Sequence, residues 1–236
     1  MVIVNLPDDI LPQKDSTADR IVFYDYTAGI ETVKGKATLH KNAISLVIAG
    51  EKTMHFSERT IYITDDTFHF LSAGNCIASV VLSANKAFRT ILVFFDDSVF
   101  AEFTAKYHTR VASILSQHHI VPQGYLSFKK DAFVLNYIDS LRVLFSIENE
   151  ISPEMRLLKF EELMLHLLEQ NPAQLLSFQS DAKGELDEVA IRKAVEANIA
   201  NNISIEELAF LCNMSLSTFK RRFVKMYGTS PRKWML

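Results

Sequence analysis

A serine, a glutamate three residues on, and two apolar runs parted by an asparagine constrain residues 202–236 more tightly than any other stretch. Ser204 can cap the first free amides of a helix, and Glu207 can reach back to the Ser204 amide, a reciprocal capping box. Apolar residues then recur at helical spacing through Leu208, Leu211 and Cys212. Asn213, of a type that tolerates a left-handed backbone, should end that helix, with Met214 turned inward from the bend. Ser215 is placed to cap a second helix over residues 216–227, stopped by Gly228 and Pro231. Two short helices joined by a tight turn make a helix-turn-helix.

The second helix is asymmetric. Phe219, Phe223 and Tyr227 repeat every four residues and form one apolar stripe, supported by Leu216. Half a turn away stand Ser217, Arg221 and Lys225, flanked by Thr218, Lys220 and Val224. No acid occurs from residue 213 to residue 236, which carry Lys220, Arg221, Arg222, Lys225, Arg232 and Lys233. Short polar groups followed by cations suit a DNA major groove, where arginine takes guanine bidentately and serine or threonine meets bases or phosphates. Taken alone, the same pattern would describe a solvated basic helix. The turn chemistry in front of it favours DNA.

These residues resemble the DNA-binding region of the AraC/XylS family of transcription regulators. The resemblance rests on Leu208 with Ala209, Met214 with Ser215, F-x-R-R-F at residues 219–223, GTSP at residues 228–231, and Trp234. It is close over roughly the last fifty residues and one of layout before them. It implies that Ser217, Lys220 and Arg221 face bases, with Thr218 beside them, while Ser215 and Lys225 suit phosphates. The family's region holds two helix-turn-helix units joined by a long helix, and residues 186–236 correspond to the first.

Composition agrees with a globular protein: 48% of the 236 residues are hydrophobic, 22% are charged, and 17 phenylalanines supply core material. The formal charge is −3, yet the tail is basic, so the rest is more acidic than the total suggests. That segregation fits a nucleic-acid module joined to an acidic regulatory one. Cys76 and Cys212 are far apart, read as small core residues, and need no disulfide, in keeping with a reducing cytoplasm. No signal peptide or membrane span is read, so the expected location is cytoplasmic.

In chain order, residues 1–18 read as a flexible arm. Residues 19–96 hold short strands at 21–26, 43–49, 53–56, 59–64, 67–71, 76–83 and 88–95, separated by turn residues such as Gly29, Gly35, Gly50 and Gly74. Such spacing implies an antiparallel sandwich or barrel, and beside the tail it resembles the cupin-like domain many AraC-type regulators carry. The fold class is therefore α+β, with an amino-terminal antiparallel β-barrel or sandwich, a helical segment and an all-α helix-turn-helix unit. Residues 97–172 should be helical: one helix from about 97 to 115, a loop at 121–125, a second over 129–145, and a third after the Ser152, Pro153, Glu154 cap. The broad apolar face of the third, from Leu157 to Leu168, could pack internally or pair two subunits, and both can hold. Residues 173–185 read as a linker, and the next helix should bury Val189, Ala190, Ala194 and Ile199.

An enzymatic role finds no residues to rest on, and no catalytic residue, cofactor or metal ligand is assigned. His40, His55 and His69 are isolated, without the His-x-His pair a metal-binding cupin uses. His69 points opposite to Phe68 and Phe70, so it faces solvent if those rings face the core, or a ligand if it faces inward. The expectation is a DNA-binding regulator, a homodimer on double-stranded DNA, controlled by an unknown small molecule or protein effector. The alternative is a dimerising interaction or sensor protein without DNA binding of its own.

Overall fold

The structure, a computed structural model, describes residues 3–11, 19–147, 150–179 and 187–234. The strands are β1 (Ile3–Leu6), β2 (Ile21–Ala28), β3 (Thr32–Leu39), β4 (Asn42–Ala49), β5 (Glu51–His55), β6 (Thr60–Ile63), β7 (Thr67–Leu71), β8 (Gly74–Val81), β9 (Phe88–Phe95) and β10 (Tyr125–Lys129). Helices α1 (Asp97–Lys106) and α2 (His108–Gln117) precede β10. After it come α3 (Ala132–Phe145), α4 (Pro153–Gln170), α5 (Pro172–Leu176), α6 (Asp187–Asn198), α7 (Ile205–Leu211), α8 (Leu216–Tyr227) and α9 (Pro231–Trp234).

The strands form two five-stranded sheets among the described residues. Sheet A runs β1-β3-β8-β5-β6 and sheet B runs β10-β7-β4-β9-β2, all pairs antiparallel except β1 with β3. They pack face to face as a sandwich, with Val22, Val47, Leu92 and Phe94 of sheet B meeting Met54, Ile63, Cys76 and Val80 of sheet A. The other face of sheet B, with Phe68, Phe70, Val93 and Phe95, is covered by helices through Phe103, Tyr137, Phe160 and Leu167. Sheet B is thus buried on both faces, which explains the near-continuous apolar runs of β4 and β9. It also corrects one expectation. His69 does turn away from Phe68 and Phe70, yet it is 2% exposed, because sheet A lies over that face.

Several boundaries differ from the sequence reading. Residues 3–11, expected as part of a free arm, supply β1 and pack Leu6, Ile10 and Leu11 against the core; residues 12–18 lie outside the described residues. β3 is a strand the sequence reading does not contain, and β10 spans the ground between the expected loop at 121–125 and the helix expected from 129. The long helix expected from residue 97 breaks at Tyr107, whose backbone (φ −104°, ψ 28°) leaves the helical region, giving α1 and α2. α4 begins as expected, Ser152 accepting from the Met155 amide with Pro153 in the first turn. The start of the expected linker is instead α5, and Leu175 and Phe178 beyond Pro172 join the core. Residues 180–186 lie outside the described residues.

The third core belongs to the helix-turn-helix. Ile191, Ala194 and Val195 of α6 pack with Leu208, Ala209, Phe219 and Phe223. Val189 and Ile199, expected inside, are 39% and 57% exposed. The buried stripe at positions 191, 194, 195 and 198 is rotated from the predicted one, and its fourth member is the polar Asn198.

Candidate nucleic-acid interface

The turn that presents α8 is built by short-range hydrogen bonds. Ser204 and Glu207 form both halves of the capping box of α7. Burial opposes ionisation of Glu207, but the Ser204 amide and the Lys34 ammonium outweigh it and hold the carboxyl below its ordinary range. Asn213 is left-handed at φ 54°, and the Met214 amide returns to the Ala209 carbonyl at 2.9 Å, closing the bend. Ser215 caps α8 by accepting from the Thr218 amide at 3.2 Å, and Gly228, at φ 69°, ends it. The apolar stripe is where the spacing put it: Phe219 and Phe223 are 0% exposed, and Tyr227 and Trp234 pack edge or tilted against Phe223.

Opposite that stripe Ser217, Lys220, Arg221 and Lys225 are exposed, and Thr218 is half-buried. Ser215 is exposed too, but its hydroxyl is engaged with the Thr218 amide and with Ser217 Oγ and Thr218 Oγ1 at 3.0 and 2.9 Å. Its first task is therefore the cap. Lys225 stands 3.6 Å from Glu188 of α6, an exposed pair that yields readily to a phosphate. Lys220 and Arg221 project without an ion-pair partner among the described residues. The surface is a cationic helix face backed by the core that α8 shares with α6 and α7.

A second feature lies between the sandwich and this unit, a cleft of about 740 Å³ walled by β-sheet residues on one side and by Ala190, Leu211 and Cys212 on the other. Most polar groups lining it are matched: Glu58 accepts from Lys193, Thr38 donates to Asn75, and Asp97 accepts from Asn42. Arg59 lies with its guanidinium 5.3 Å from the Tyr125 ring centre and has no carboxylate partner among the described residues. Tyr125 is fixed in turn by His69, ring to ring at 5.6 Å with the phenol oxygen 2.6 Å from Nδ1. Burial, helped by Lys130 and opposed by Asp66, lowers His69 to about 4, so this imidazole is neutral at physiological pH.

Sequence reasoning did not find Lys34, Asn75 or Asn198, which join the sandwich to the helix-turn-helix. The signal available was faint: two lysines flanking Gly35 in a segment long enough for a strand. Among the described residues no group of three or more His, Cys, Asp or Glu side chains is placed to hold a metal ion, and no helix is long and apolar enough to cross a membrane.

Residues 42–178 match the model of the ExsA N-terminal regulatory domain, and residues 195–236 match that of the bacterial regulatory helix-turn-helix proteins of the AraC family. No curated sequence matches the chain. Among solved structures, ToxT from Vibrio cholerae is 10% identical with a TM-score of 0.43, over 92% of this chain and 98% of that one. Unsaturated-fatty-acid-bound ToxT from Vibrio cholerae strain SCE256 is 11% identical with a TM-score of 0.42, over 91% and 94%. The AraC-like transcriptional activator CuxR is 12% identical with a TM-score of 0.38, over 95% and 89%.

Proposed function

Because the chain belongs to the AraC family of transcription regulators, with an ExsA-type regulatory domain in front of its helix-turn-helix, we propose that α8 is its DNA-reading helix. In this reading Arg221 and Lys220 meet base edges, assisted by Ser217, and Thr218 and Lys225 meet phosphates, with Ser215 reaching a phosphate only as far as its capping role allows. The observation that carries it is the opposition of fully buried Phe219 and Phe223 to exposed Lys220 and Arg221 on one helix. Gel-shift titration of Arg221→Ala against a site selected from random DNA tests it. The expected loss is about 1–3 kcal/mol, confined to the selected site and relaxing one base position. An equal loss on unselected DNA would remove Arg221 from base reading.

The regulator acts as a homodimer in this reading. Leu135 and Val143 of α3, Ile147 just beyond its end, and Leu157 and Leu158 at the start of α4 are large exposed apolar side chains, with Asp139 and Arg142 of α3 near them. A two-fold axis there would bury the apolar groups and let the charges pair across subunits. Sedimentation of Leu135→Glu checks it: the expected result is a shift to monomer. Control by an effector is supported by the cleft, where Arg59 supplies a fixed cation beside apolar walls.

A further inference from the structure

Two charges lining the cleft have no opposite number. Glu58 is taken by Lys193 at 2.8 Å, and His40 Nε2 stands 3.1 Å from Asn5 Oδ1. Arg59, half-buried, lies with its guanidinium 5.3 Å from the Tyr125 ring centre and makes no hydrogen bond or ion pair through it among the described residues. Asp97, exposed at the start of α1, accepts from Asn42 Nδ2 through Oδ1 at 2.7 Å. Its Oδ2 has no partner among the described residues. One wall therefore carries a free cation and a free carboxylate oxygen.

The path between these poles can be followed bond by bond. Tyr125 pairs with Leu71 across β10 and β7, and the Ser72 amide donates to the Gly124 carbonyl at 2.8 Å. The Ala73 amide donates to Asn42 Oδ1 at 3.0 Å, and Asn42 holds Asp97. Three residues of chain and two side chains thus separate cation from anion, a span of roughly 10–14 Å. Leu39, Phe56 and Leu71 make the sandwich side apolar, with Leu211 across the cleft. A plain carboxylate would satisfy Arg59 and leave Asp97 unmatched, and an amine would do the reverse. A single amino acid carries both charges, but only about 3.6 Å apart.

We propose that the cleft takes a short apolar peptide of about three or four residues, its terminal carboxylate on Arg59 and its terminal ammonium on Asp97. Fully extended, a chain of that length reaches from one pole to the other. The guanidinium fork receives the carboxylate through two hydrogen bonds, and the Tyr125 ring behind it fixes its plane. Side chains of the peptide meet the apolar walls, while Ser57 and Asn213, both in the lining, can donate to and accept from its amides. The cleft, about 740 Å³, has room for such a ligand. This rests on the cleft being the effector site, and it gives that effector a chemical class.

The test is calorimetric titration of the full chain with tripeptides built from alanine, leucine and phenylalanine, in free, amino-acetylated and carboxy-amidated forms, with octanoate beside them. Free tripeptides should bind saturably, and blocking either end should weaken the best of them about tenfold or more. Arg59→Gln should erase the penalty for amidation and keep that for acetylation. Asp97→Asn, which retains an acceptor for Asn42, should do the opposite. Blocked and free peptides that bind alike overturn the proposal, as do variants that leave both penalties unchanged. Octanoate binding as tightly as the best peptide overturns the peptide class while leaving the cleft an effector site. Saturable binding by none of these ligands overturns the proposal outright, and the DNA reading of α8 is still decided by Arg221→Ala.

Discussion

Ser204 and Glu207 exchange two hydrogen bonds across the first turn of α7, the Glu207 amide donating to Ser204 Oγ at 3.2 Å and the Ser204 amide to Glu207 Oε2 at 2.7 Å. Ser204→Ala leaves amides at the helix start without partners and should lower the stability of the helix-turn-helix by about 1 kcal/mol. Ser204→Asp, which keeps an acceptor, should recover most of it. Thermal melting followed by circular dichroism at the carboxy-terminal transition checks both.

Phe223 is enclosed by Phe219, Tyr227 and Trp234, whereas Val224, the next residue, is exposed. Phe223→Ala should cost about 3–5 kcal/mol, enough to unfold a three-helix unit, while the sandwich melts as before. Val224→Ala should stay within about 0.5 kcal/mol of the parent. If the two substitutions cost the same, α8 does not sit on the stripe described.

Salt dependence separates the two lysines of α8. Lys225→Gln should reduce the slope of log affinity against log salt by about 1, the signature of one lost phosphate contact, since its exposed pair with Glu188 at 3.6 Å gives way easily. Lys220→Gln, at a base edge, should change the slope less and relax the preference for the selected base instead. Titrations at four salt concentrations with selected DNA measure both slopes.

His69 makes the regulatory domain acid-sensitive. In the unfolded chain its imidazole takes a proton near the ordinary 6.5, while in the fold it stays neutral down to about 4. The unfolded state therefore binds more protons in that interval, so the stabilisation is complete above pH 6.5 and is lost as pH falls toward 4. The loss is on the order of 3 kcal/mol for a shift of this size. His55, also lowered by burial and by Lys34 against the pull of Glu207 and Asn198, adds in the same direction. Denaturant melts at pH 7 and pH 4.5 should show a steep drop for the parent and a shallower one for His69→Gln.

The helix-turn-helix was legible almost to the residue because its signals are local: the cap at Ser204, the turn at Asn213, the stop at Gly228 and the four-residue stripe of Phe219 and Phe223 each act within one or two turns. The central strands β4 and β9 of sheet B were legible because both of their faces are apolar, whereas β10 at its edge, with Ser127 and Lys129 exposed, was not. β3 was not, since its outward lysines serve the helix-turn-helix and its kink at Lys34 interrupts the alternation a strand would show. The buried side of α6 was misread because two apolar ridges compete, and only the packing on Phe219 and Phe223 chooses Ile191 and Val195 over Val189 and Ile199. On α8 itself, the exposure of Ser217, Lys220, Arg221 and Lys225 agreed with the period, while the occupied hydroxyl of Ser215 came from geometry alone.

Cys76 and Cys212 are both enclosed, and burial raises their thiols to about 11 and about 12, Lys52 opposing the rise at Cys76. Since the thiolate is the reacting species, peroxides and alkylating reagents find almost none of it in the native protein. Iodoacetamide uptake thus becomes a clock for opening, with Cys76 timing the sandwich and Cys212 the DNA-binding unit, each residue reporting on its own half of the molecule.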